Sequence, residues 1–128
     1  MKKSLSNDHY VKASVEAKFT FNPLSVCKEY DFVTGNTIKY ILRYKHKNQA
    51  LSDLTKALDY LRLLKPLKAK HLTVDNVYLF VAIFAYKNDN DIFNALVNDD
   101  GSIGAKNIQK ADRIIKRLIE ELKHNESK

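Results

Sequence analysis

Between Gly35 and Tyr60 the chain carries Lys39, Arg43, Lys45, Lys47 and Lys56, opposed only by Asp53 and Asp59. Like charges crowded into so short a stretch repel one another, an arrangement with a purpose where an anion is to be bound. Lys39 and Arg43 are one helical turn apart, so both can reach the same group. Arg grips two oxygens with its planar fork and Lys acts as a point charge. The chemistry these types suit is phosphate binding. A solvated basic face that aids solubility is the plain alternative.

The distribution of charge sharpens the choice. Net charge is +7, from 22 basic and 15 acidic residues. Residues 39–70 hold nine Lys or Arg (Lys39, Arg43, Lys45, Lys47, Lys56, Arg62, Lys65, Lys68, Lys70) against two Asp, while the remainder has thirteen of each sign. The whole excess therefore sits in one quarter of the chain, the footprint of a polyanion or small-phosphate site. A phosphate loop of the GxxxxGK[ST] type is missing, because none of Gly35, Gly101 and Gly104 precedes a Lys-Ser/Thr pair at the required distance. Any cradle must then be made of side chains.

The elements that position these residues follow from periodicity. Three Gly and two Pro are too few for many tight β turns, and 128 residues suit one domain with one core. The fold expected is all-α, a compact helical domain built on an antiparallel helix hairpin. An extended N-terminal arm precedes it, where Val11, Ala13, Val15, Ala17, Phe19 and Phe21 alternate after a polar tail at 1–8. A short helix starts at Asn22-Pro23 and runs to about Tyr30. The first hairpin helix spans about 35–46, with Thr34 or Gly35 opening it and Ile38, Ile41 and Leu42 on its inner face. The second spans about 49–64, with Leu51, Leu54, Leu58 and Leu61 as its seam, and Pro66 ends the hairpin. Beside these seams run two stripes: Asn36, Lys39 and Arg43 on one helix, Asp53, Lys56 and Tyr60 on the other.

Thr73 caps a helix over about 74–87 that is apolar nearly all round and hence central, burying Val77, Leu79, Phe80, Val81, Ile83 and Phe84. A shorter helix runs from Asn90 to Val97, NDDGS at 98–102 is a turn, and a final amphipathic helix covers about 103–124. Residues 77–86 form the most apolar stretch, about half of the ~20 residues a membrane span needs. No apolar run follows the two N-terminal lysines, so a signal peptide is not expected. The single cysteine, Cys27, allows no internal disulfide and no zinc spacing, which points to the cytoplasm.

The hairpin resembles a known family. Gly35-Asn36-x-x-Lys39-Tyr40-x-x-Arg43, then Lys47, then Asp53-Leu54-x-Lys56-Ala57-x-x-Tyr60-Leu61, with His9-Tyr10 upstream, is similar to the pattern of small, mostly bacteriophage-encoded proteins called SaV-like or DUF3310. The resemblance covers roughly residues 9–63 and leaves the helical half at 70–128 unmatched. It implies a nucleotide kinase that moves a phosphoryl group from ATP or another nucleoside triphosphate to deoxynucleoside monophosphates without the usual kinase signature. Carried onto this chain, Lys39, Arg43 and Asp53 would be catalytic, with Asp53 the candidate ligand for Mg2+. Gly35, Asn36, Tyr40, Lys47, Lys56, Tyr60 and His9 would bind substrate. If the protein is phage-encoded, its compartment is the host cytoplasm.

Each residue also has a plainer reading. Gly35 can serve close helix packing, Asn36 can cap a helix, and Asp53 or Lys56 can join a salt bridge with Arg43 or Lys39. Tyr40 and Tyr60 can be core-edge aromatics. Two further functions compete with the kinase. One is a non-enzymatic regulator or inhibitor that docks its basic hairpin on nucleic acid or a host protein. The other, a helical pyrophosphohydrolase, needs several carboxylates for its metals, and the hairpin supplies almost none. The apolar arm and the wide stripe of the last helix suit a homo-oligomer.

Overall fold

The computed structural model describes residues 22–46 and 48–126. The arm expected at 10–21, His9 and Lys47 lie outside the described residues. Six α-helices make up the fold: α1 Leu24–Cys27, α2 Phe32–Arg43, α3 Ala50–Leu61, α4 Val77–Asp89, α5 Asp91–Leu96 and α6 Ala105–Glu126, with 3-10 turns at Tyr44–His46 and Val74–Asn76. No β-strand occurs among the described residues, as the all-α expectation requires.

The central hairpin forms as expected, with shifted bounds. The start of α2 is Phe32, because the Asp31 carboxylate accepts from the Thr34 backbone N–H at 2.9 Å and from the Thr34 hydroxyl at 3.0 Å. These bonds hold the Asp31 carboxyl below its usual range, the Thr34 amide contributing most. The opening expected at Thr34 or Gly35 is thus one turn late, since the capping carboxylate outcompetes the glycine as a start signal. Ile38, Ile41 and Leu42 of α2 bury against Leu54, Ala57 and Leu61 of α3, and α6 closes the other flank of α3 with Ala111 and Ile115. The continuous core draws on all six helices.

Gly35 is buried well inside α2, where it has a packing duty. A Cβ at this position would lie 2.9 Å from the Cys27 carbonyl oxygen, so only glycine lets α1 sit this close on α2. Burial on this face pushes the Cys27 thiol up to about 12, with Lys39 pulling weakly in the opposite sense.

The α4 helix departs from its expected burial all round. Leu79, Ala82, Ile83, Ala85 and Tyr86 face the core, whereas Val77, Tyr78 and Phe84 are exposed. The helix lies at the edge of the bundle, and an apolar pattern without polar breaks does not reveal which side faces out. Where α4 hands over to α5, Asn90 is buried and donates to the Ile41 carbonyl at 2.9 Å while accepting from the Phe93 amide at 2.9 Å. One side chain thereby caps α5 and ties it to α2. Between α3 and α4 the chain runs extended, bridged by paired amide bonds between Leu67 and Ile103. Gly101, at φ +82°, makes the turn between α5 and α6 that precedes Ile103.

Candidate functional site

The hairpin turns one mixed face of α2 and α3 outward. Phe32, Asn36, Lys39 and Arg43 fall at i, i+4, i+7 and i+11 of α2, one continuous stripe. Because α3 runs antiparallel, Tyr60 stands beside Phe32, Lys56 beside Tyr40, and Asp53 beside Arg43.

Tyr40 is the hub. Its ring stacks on Tyr60 at 6.1 Å with the planes 12° apart. Around it gather three cations: Lys39 Nζ at 4.7 Å from the ring centroid, Lys56 Nζ at 5.5 Å and Arg43 Cζ at 5.7 Å. The negative face of an aromatic ring attracts cations at about 0.5–1 kcal/mol each when exposed, which helps one ring gather three like charges. Among the described residues neither Lys39 nor Lys56 has a carboxylate partner within ion-pair distance.

Asp53 is the sole acid of the group, and it points inward. Its side chain is 1% exposed and its Oδ1 lies 3.6 Å from Arg43 Nε. That contact is too long for a hydrogen bond, and Arg43 Nε and both Asp53 oxygens are buried without one. A buried pair held by charge alone carries its desolvation cost with little return, so it is a liability to stability rather than an asset. Three cations against one carboxylate leave a local excess of two charges, near the roughly −1.5 to −2 of a phosphomonoester at neutral pH.

This environment decides how Asp53 relates to magnesium. Mg2+ demands near-octahedral oxygen donors and keeps several waters. Asp53 is shielded from solvent and faces a guanidinium, and no group of three His, Cys, Asp or Glu that could hold a metal occurs among the described residues. These residues do not fit a resident magnesium ion. They fit a carboxylate that holds Arg43 in place.

The remaining candidates divide. Lys39, Tyr40, Arg43, Lys56 and Tyr60 come together as described, and Asn36 lies on the same stripe. The Asn36 amide donates to the Phe32 carbonyl at 2.8 Å and caps no helix end. Gly35 is packed against Cys27. Other members of the basic stretch are committed elsewhere: Lys45 donates to the Asp89 carbonyl at 2.8 Å, Arg62 pairs with Asp112 at 3.1 Å, and Lys70 donates to the Glu29 carbonyl at 2.7 Å. Six of the nine cations of residues 39–70 thus divide into a compact triad and three structural ties, while Lys65 and Lys68 are exposed. Phe32 went unnoticed in the sequence because a helix starting at Gly35 excludes it; the Asp31 cap was the signal that would have revealed the full stripe.

Fold and site together define a helical protein whose central hairpin gathers three cations and three aromatic rings along one face. Residues 3–62, just under half of the chain, match the family model described as protein of unknown function (DUF3310). The match supports the DUF3310 family for the part of the chain that includes the hairpin, and its last residue falls at the end of α3. Comparison with curated proteins and with solved structures gives no match. Among the described residues no helix is long and apolar enough to cross a membrane.

Proposed function

We propose that the hairpin binds nucleotide phosphate and that the chain is a phage-type, nucleotide kinase-like protein acting on deoxynucleoside monophosphates. The observation that carries this reading is the triad of Lys39, Lys56 and Arg43 around Tyr40, two of its cations lacking any acidic partner among the described residues. In the reaction, an oxygen of the monophosphate forms a new bond to the γ-phosphorus of a nucleoside triphosphate. The bond from that phosphorus to the β–γ bridging oxygen breaks, and the nucleoside diphosphate leaves with the electron pair. Such a transfer depends on alignment and on neutralising equatorial charge. Lys39 and Lys56 supply mobile point charges, and Arg43, held by Asp53, supplies a fixed one. Magnesium enters with the triphosphate as part of the substrate.

The test is incubation of pure protein with magnesium-ATP and each deoxynucleoside monophosphate, following diphosphate formation. At least one deoxynucleoside diphosphate is expected, falling 10-fold or more in Lys39→Ala, on the order of losing one charge-assisted contact. No diphosphate from any acceptor refutes the kinase. A second reading is favoured by the exposure of Lys56 on the outer surface: a regulator or inhibitor that docks this face on nucleic acid or a host protein. DNA binding that weakens steeply as salt rises would support its nucleic-acid form.

A further inference from the structure

We propose that Phe32 is the platform for the nucleobase, so that the hairpin takes a nucleoside phosphate in one direction, base toward the start of α2 and phosphate toward its end. This rests on the phosphate reading of the triad and adds the other half of the ligand. Phe32 is 76% exposed at the first position of α2. A phenylalanine there gains almost nothing from burial, yet it is not isolated. Its ring meets Tyr60 at 6.3 Å and 79°, edge against face, and Tyr60 in turn stacks on Tyr40. A perpendicular contact leaves at least one face of Phe32 uncovered by Tyr60, while restraining the ring. An anchored ring with an open face is what a base needs in order to stack.

The grading along the stripe sets the direction. Phe32, Tyr60 and Asn36 are uncharged, and the cations begin at Lys39 and continue to Arg43 and Lys56. From Phe32 to Lys39 the helix rises roughly 10 Å. The sugar of a nucleotide would bridge that interval. The reverse orientation would lay phosphate against Phe32 and the base among three cations, losing both interactions. Stacking scales with the π surface offered, so purine nucleotides are expected to bind more tightly than pyrimidine nucleotides.

Two probes separate the halves: deoxyadenosine monophosphate, and deoxyribose 5-phosphate, which lacks the base. Each is titrated calorimetrically into wild type, Phe32→Ala and Phe32→Trp. Wild type is expected to bind the nucleotide about 5- to 20-fold more tightly than the sugar phosphate, the lower range for stacking on a single ring. Phe32→Ala should abolish that difference while leaving sugar-phosphate affinity unchanged, which also reports an intact cation cluster, and Phe32→Trp should keep it. A difference that survives Phe32→Ala, or equal wild-type affinity for both probes, overturns the base platform and leaves the phosphate site standing. Failure of wild type to bind either probe overturns the phosphate reading and this inference with it.

Discussion

Replacing Arg43 by Met keeps the length of the side chain and removes its charge, which strands the Asp53 carboxylate. At the observed 3.6 Å the gross attraction is roughly 4–5 kcal/mol in an effective dielectric near 20. Breaking a fully buried pair costs about 3–5 kcal/mol. Arg43 keeps 28% of its side chain exposed, so some of that attraction is already screened and a loss of about 2–4 kcal/mol is expected. For a chain of this size that corresponds to a drop in Tm of roughly 8–15 °C. Asp53→Leu should cost much less, because a partly exposed guanidinium can turn to water whereas a buried carboxylate cannot. The double variant, Arg43→Met with Asp53→Leu, should recover most of the loss. Urea unfolding of the four proteins closes the cycle, and a positive coupling above ~1 kcal/mol is expected for residues in contact. Arg43→Met within ~0.5 kcal/mol of wild type, or a coupling near zero, would refute the view that these two charges hold each other.

Other predictions concern the same region. Gly35→Ala forces a Cβ to within 2.9 Å of the Cys27 carbonyl oxygen and should destabilise by about 1–3 kcal/mol in urea unfolding. Lys39→Ala with Lys56→Ala should lower stability by at most ~1–2 kcal/mol, the two lost ring contacts being offset in part by relief of like-charge repulsion, and should abolish the rise in Tm expected of wild type in millimolar pyrophosphate. Alkaline pH should weaken the fold through Cys27. Its folded thiol, raised to about 12 from 9.0, keeps a proton that the unfolded chain releases, so stability falls as pH climbs from about 9 through 12. Below pH 9 the thiol contributes no slope. Urea midpoints that stay flat between pH 8.5 and 11 would count against its burial.

How far the sequence revealed this arrangement depended on whether a feature was periodic. The hairpin could be read from Ile38, Ile41, Leu42, Leu54 and Leu61, whose spacing leaves few other ways to bury them. Lys39 and Arg43 shared a face for the same reason. A salt bridge from Asp53 to Arg43 was among the plain readings of the sequence, but its burial was not, because no local pattern says that a carboxylate will turn inward to meet a cation from another helix. Phe32 was hidden by a glycine-asparagine pair that imitates a helix start one turn beyond the true cap at Asp31. The extended run between α3 and α4 is tied by backbone bonds at Leu67 and Ile103, which side-chain patterns do not encode. The double duty of Asn90 is equally non-local, since Ile41 lies 49 positions away.

The placement of α6 against the outer flank of α3 has a bearing on how the matched region can travel. Severed after residue 62, this chain would lose the wall formed by Ala111 and Ile115 and bare the apolar back of its own hairpin. The site-bearing piece therefore depends on a scaffold that contributes none of the described cations to the triad. Any chain that inherits the piece must furnish a greasy buttress of its own, whatever its sequence, before three lysine and arginine tips can be held around one tyrosine.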